Sequence, residues 1–202
     1  MGKDVIMLLI EQIAMVLAYA LNLHRAGMDE EALQTVDELL DPLFDGSPDD
    51  IEVSRMADLL REMHADGPTV LGVVRLFHQR GEILSNLRDD RCFAMYPKAL
   101  RLALACLPAS EWQGAADLLY DLYRQSELSE NERVRLFEGM EGIGGYAYAE
   151  DILYDFVEAD PENRARGLAF YDRLLALDDK VLIEGGLPRE EVLEGKAALE
   201  NE

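Results

Sequence analysis

Cysteine is nearly absent from this chain. Cys92 and Cys106 are the only two in 202 residues, too few for a disulfide framework and too far apart for a CxxC pair. That usage fits a reducing compartment, with both thiols expected to be buried. Positive charge is scarce as well. Nineteen Lys and Arg stand against 41 Asp and Glu, a formal charge of −22 that repels phosphate backbones and argues against nucleic acid as a ligand. Three histidines, His24, His64 and His78, lie far apart without an HExxH or ExxH spacing, so no metal site and no cofactor is expected. With only seven prolines and 49% apolar residues the chain has the composition of a globular domain, and at this length it can bury roughly 70% of its unfolded surface.

Strict alternation of apolar and polar residues is missing, whereas helical periodicity recurs from end to end. The pattern predicts an all-α fold of about nine helices in a single domain over residues 1–202. The first helix should run from about Asp4 to Leu23 and end at Gly27. It is apolar on nearly every side, so it is expected either to be surrounded in the middle of the fold or to supply a homodimer interface through Val5 to Leu23. Glu11 and Gln12 near its centre argue against a membrane span.

Further helices are predicted from Asp29 to Leu43, from Ser47 to Ala65 with Pro48 in the first turn, from Thr69 to Leu87 with weak points at Gly72 and Gly81, and from Asp89 to Leu107. Pro97 should kink or delay the last of these. Ser110 is expected to cap a helix to Gln125, Ser129 and Glu132 to form a capping box, and Gly142, Gly144 and Gly145 to end that helix. Tyr146 to Ala159, a segment capped by Asp160 and Pro161 and running to Leu177, and a short polar C-terminal helix complete the chain.

The stretch Gly144-Gly145-Tyr146-Ala147-Tyr148-Ala149-Glu150-Asp151-Ile152-Leu153-Tyr154-Asp155-Phe156-Val157-Glu158-Ala159-Asp160-Pro161 resembles the second helix of a tetratricopeptide repeat. Ala149 stands where two helices of a hairpin approach, Leu153 is the next apolar contact, and Pro161 ends the unit, which would occupy residues 144–177. Phe156 replaces the usual alanine. Weaker echoes centre on Ala32 and Cys92, at spacings of 60 and 57 residues rather than multiples of 34, which implies degenerate hairpins and not a regular array. The opening run Asp4-Val5-Ile6-Met7-Leu8-Leu9-Ile10-Glu11-Gln12, with the helix pair over residues 1–45, is similar to an uncharacterised bacterial family whose members begin D-Y-I-M-R-x-I-E-Q; Val5 and Leu8 replace its tyrosine and arginine. The resemblance implies a helical, tetratricopeptide-like fold and no particular activity.

Charge is distributed unevenly. Between Asp29 and Glu52 there are ten acids and no base, whereas Arg75, Arg80, Arg88, Arg91, Lys98 and Arg101 share a stretch with only Glu82, Asp89 and Asp90. Such a basic stretch is a candidate site for an acidic peptide, a carboxylate ligand or a second copy's acidic face, and its plainer use is internal pairing. No nucleophile sits in a G-x-S-x-G context, and the glycines at 139–145 lack a phosphate loop's Lys-Ser/Thr. The sequence does not determine a function. It points first to a non-enzymatic, cytoplasmic protein–protein interaction or scaffold module with an unidentified protein or peptide partner. An anionic-ligand sensor, or an enzyme built from scattered carboxylates and the Arg75 to Arg101 stretch, is the alternative.

Overall fold

The computed structural model describes residues 2–159 and 163–201. Among them there are eleven α-helices, one 3-10 turn and no strand, so the fold is all-α, with more helices than the nine expected. The chain forms two compact units, Met1–Glu111 with Asp117–Glu127, and Trp112–Ala116 with Leu128–Glu202.

The first unit holds α1 (Gly2–Arg25), α2 (Asp29–Phe44), α3 (Val53–Glu62), α4 (Gly67–Asn86), α5 (Cys92–Cys106), a 3-10 turn at Ala109–Glu111 and α6 (Ala116–Arg124). Glycine in the left-handed region at Gly27 (φ 75°) lets Met28 N–H reach Leu23 C=O at 2.9 Å and closes the end of α1. The equivalent bond, Asp89 N–H to Leu84 C=O at 2.9 Å, ends α4, but there the left-handed residue is Arg88 (φ 58°).

The middle of this unit is α4 and not α1. It contacts α1, α2 and α5, and it buries ten residues from Thr69 to Leu84. Asp66 caps it, accepting from Thr69 N–H at 3.0 Å. Gly72 and Gly81 within it are points of close approach rather than weak points: a Cβ at Gly72 would lie 2.8 Å from Ile13 of α1, and one at Gly81 would lie 2.7 Å from the Tyr96 ring of α5. Of the two alternatives read for α1, a place in the middle of the fold therefore does not hold. Leu9, Ile13, Ala20 and Leu23 are buried on its inner face, while Val5, Met7, Leu8, Met15 and Tyr19 remain 56–64% exposed.

Two other expectations shift for local reasons. The helix read from Ser47 starts only at Val53, because Lys98 Nζ takes the carbonyls of Pro48 (2.6 Å) and Asp49 (3.0 Å) that a helix would use. The helix read from Ser110 becomes the 3-10 turn followed by α6 from Ala116. Pro97 lies inside α5 and does not delay it.

The second unit comprises α7 (Glu130–Gly142), α8 (Tyr146–Ala159), α9 (Arg164–Leu175), α10 (Asp179–Glu184) and α11 (Arg189–Asn201), with Trp112 among its residues. The short α10 has no counterpart in the sequence reading. Ser129 and Glu132 form the expected capping box of α7. The core is aromatic: Phe137 meets Phe156 edge-on at 6.2 Å and Phe170 at 5.4 Å. Phe156, the departure from the repeat pattern, is thus a core ring with the guanidinium carbons of Arg133 and Arg166 each 5.5 Å from its centroid. Tyr171 donates to Glu150 at 2.6 Å. Burial lifts the Glu150 carboxyl above the usual range, against the lowering effect of that hydrogen bond.

Candidate functional site

The acid-rich and base-rich stretches are partners of each other. Arg80, near the middle of α4, is only 1% exposed, and every nitrogen of its guanidinium has an acceptor. Nε donates to Asp37 of α2 at 2.7 Å, Nη1 to Asp49 at 2.6 Å and to the Met95 sulfur at 3.1 Å, and Nη2 to Asp49 at 3.0 Å. A planar fork of donors suits two carboxylates at once, which a lysine could not match. Burial acts to lower the Arg80 pKa, and the hydrogen bonds to Asp49 and Asp37 more than offset it, so the group stays firmly cationic. Burial likewise pushes the Asp49 carboxyl up, but Arg80 and Arg91 overcome it and hold it below the usual carboxylate range.

Arg91 extends the cluster. It donates to Asp49 at 2.9 Å and to Asp89 at 2.7 Å, and its hydrogen bonds bring Asp89 down to about 2. Lys98 pins the same segment through the carbonyls of Pro48 and Asp49, and Arg101 donates to the Glu127 carbonyl at 2.9 Å. Three of the six candidate cations, Arg80, Arg91 and Lys98, thus converge on residues 48–49, which they tie to α4 and α5. Arg75 is exposed on α4, and Arg88 is exposed at its end. The segment around Asp49 carries no periodic signal of its role. Only the opposite charges of the two blocks hinted at it.

The residues read as hairpin contacts are all inside: Ala32 and Ala149 have no exposure, Leu153 has 1% and Cys92 has 5%. Pro161 lies outside the described residues. An open hollow of about 370 Å³ lies beside Cys92, Phe93, Tyr96 and Arg124, with Phe93 71% exposed at its edge; none of the six cations lines it. Among the described residues no group of three or more His, Cys, Asp or Glu is placed to hold a metal ion. His24 pairs with Asp29 at 2.5 Å and His78 with Asp121 at 2.8 Å.

The larger feature is the outer face of α1. Val5, Leu8, Met15 and Tyr19 recur at alternating spacings of three and four, with Gln12 in the same row. All four large apolar side chains are more than half exposed. The segment Val5–Arg25 has a mean hydropathy of 1.9 and is long and apolar enough to cross a membrane by length and composition, with 22% of it buried in the fold. Sequence reasoning identified the helix and its excess of apolar surface, but not which side stays open.

No curated protein and no solved structure matches the chain. The likeness of the first 45 residues to an uncharacterised family extends to the entire sequence. The model of the Family of unknown function (DUF6483) matches residues 1–202, and the chain belongs to that family.

Proposed function

We propose that the chain is a non-enzymatic interaction module of degenerate, tetratricopeptide-like hairpins, working in the cytoplasm and holding a protein partner through the outer face of α1. The observation that carries this reading is the open row of Val5, Leu8, Met15 and Tyr19. Burying a large apolar side chain is worth roughly 1.5–3 kcal/mol, and a contiguous row left in water marks a place of association. The charge pairing supports the same reading. Of the six cations that a substrate clamp or anion sensor on the basic stretch could draw on, Arg80, Arg91 and Lys98 have hydrogen bonds to Asp37, Asp49, Asp89 and backbone carbonyls. The packed α7–α8 pair and the buried Ala149 of α8 suit the hairpin part of the proposal, and the free thiols suit a reducing compartment.

The test is a photo-crosslinking amino acid at position 15, in the cells that make the protein. Discrete protein adducts are expected, and they should vanish when Leu8→Glu is added. Adducts to lipid alone, or none, would refute the module.

A further inference from the structure

We infer that the partner of the α1 face is the same face of a second copy, related by a two-fold axis. This rests on the reading of α1 as the interaction surface and names its occupant.

Three observations point to self-pairing. The first is the pattern. Positions 5, 8, 12, 15, 19 and 22 are Val, Leu, Gln, Met, Tyr and Asn, and they alternate by three and four residues. That is the spacing of a helix-to-helix seam, in which a few polar residues set register and oligomer state. The buried row Leu9, Ile13, Ala20 and Leu23 follows the same rhythm one residue on, about a quarter turn round the helix. One side of α1 is therefore seated on its own unit, and the next is patterned for another helix.

The second is charge. The chain carries −22, yet the row contains no ionised side chain, and Glu11 is the only acid or base between residues 5 and 23. Most other surfaces of this protein would be repelled by a second copy, and so would an anionic membrane. An isologous contact through α1 brings together two uncharged strips of identical length and spacing, the arrangement a two-fold dimer requires.

The third is area. Val5, Leu8, Met15 and Tyr19 are each 56–64% exposed, and Gln12 and Asn22 are exposed in the same row. At roughly 100 Å² apiece the four apolar side chains alone offer about 400 Å² per copy, or about 800 Å² across the pair, the size of a weak, transient interface. The expected dimer is reversible rather than obligate.

The experiment is light scattering with sedimentation across a dilution series, on the wild type, Met15→Glu, Leu8→Lys and, as a control on the second unit, Ile183→Glu. The wild type should approach twice 22.7 kDa at high concentration. Because symmetry counts each change twice, Met15→Glu should weaken the dimer about 1,000-fold. Met15 is 64% exposed, so helicity by circular dichroism should be unchanged. Leu8→Lys should act in the same direction, and Ile183→Glu should leave the dimer intact. A wild-type monomer at every concentration would overturn the inference, as would a dimer untouched by both α1 variants. Binding of a monomeric wild type to phosphatidylcholine vesicles, lost in Met15→Glu, would assign the face to lipid and also overturn it. Photo-adducts at position 15 whose mass is not twice the chain's would sink self-pairing while leaving the interaction module standing, whereas no protein adduct would sink both.

Discussion

Replacing Arg80 with methionine should cost the first unit more stability than any surface change. Methionine roughly keeps the apolar stem and removes the guanidinium, leaving Asp37 and Asp49 without their shared partner at 28% and 23% side-chain exposure. Breaking a buried ion pair from one side costs roughly 3–5 kcal/mol, because the surviving charge is left desolvated. Water reaches both carboxylates here, so the lower end applies, about 3 kcal/mol, or roughly 10 °C in Tm for a unit of this size. Urea unfolding followed by circular dichroism would register the loss, while the sole tryptophan, Trp112, reports the second unit separately. Adding Asp37→Asn and Asp49→Asn to Arg80→Met should recover most of the deficit, since the half-buried charges that Arg80 matched are then gone, with Arg91 keeping Asp89 as its partner.

Acid provides an independent check. The Asp49 carboxyl is depressed in the folded state, so its contribution is fully present above the ordinary carboxylate value of 3.8 and is lost as pH falls through the lower folded value. The wild type should lose part of the first unit's stability below about pH 4, and Arg80→Met should flatten that loss. An Arg80→Met protein within about 0.5 kcal/mol of wild type would refute the reasoning. A triple variant no better than the single one would mean that packing, not charge, sets the cost.

Other substitutions have opposite expected signs. Glu150→Gln should raise the Tm of the second unit at pH 7 and leave it unchanged at pH 4 by calorimetry. Glu150's raised carboxyl favours the fold only while protonated, a contribution lost as pH rises through the folded value, and glutamine still accepts from Tyr171. Gly139→Ala would push a methyl group into the Trp112 ring, costing roughly 1–3 kcal/mol, and should red-shift tryptophan emission; an unshifted spectrum would contradict the close approach. Arg88→Gly should stabilise the first unit by about 1 kcal/mol in urea titrations, because glycine occupies φ 58° without the steric cost that arginine bears.

Much of the helical order is legible in the residues themselves. Gly27 marks the end of α1, Ser129 and Glu132 mark the start of α7, and the run from Tyr146 to Ala159 is one helix as read. These signals work because a cap or a chain reversal is satisfied within a few residues of itself. The misreadings arise where a distant group intervenes. Ser47 and Pro48 have the chemistry of a helix start, yet Lys98, 50 residues from Pro48, takes the carbonyl that would continue it.

The two charge blocks were visible by composition, and their mutual pairing was not, since Arg80 reaches Asp37 and Asp49 across 43 and 31 residues. Likewise, a helix apolar all round declares that its surface must be covered, and periodicity alone does not distinguish a core from an interface. The sequence by itself determined the helix ends that close locally, as at Gly27 and at the Ser129–Glu132 box, because those bonds form between residues only a few positions apart. Tertiary structure decided which side of α1 meets its own unit and where the charge of Arg80 is matched. Burial and ion pairing depend on groups brought together by the whole fold, and those distances are not written in any local stretch of the chain.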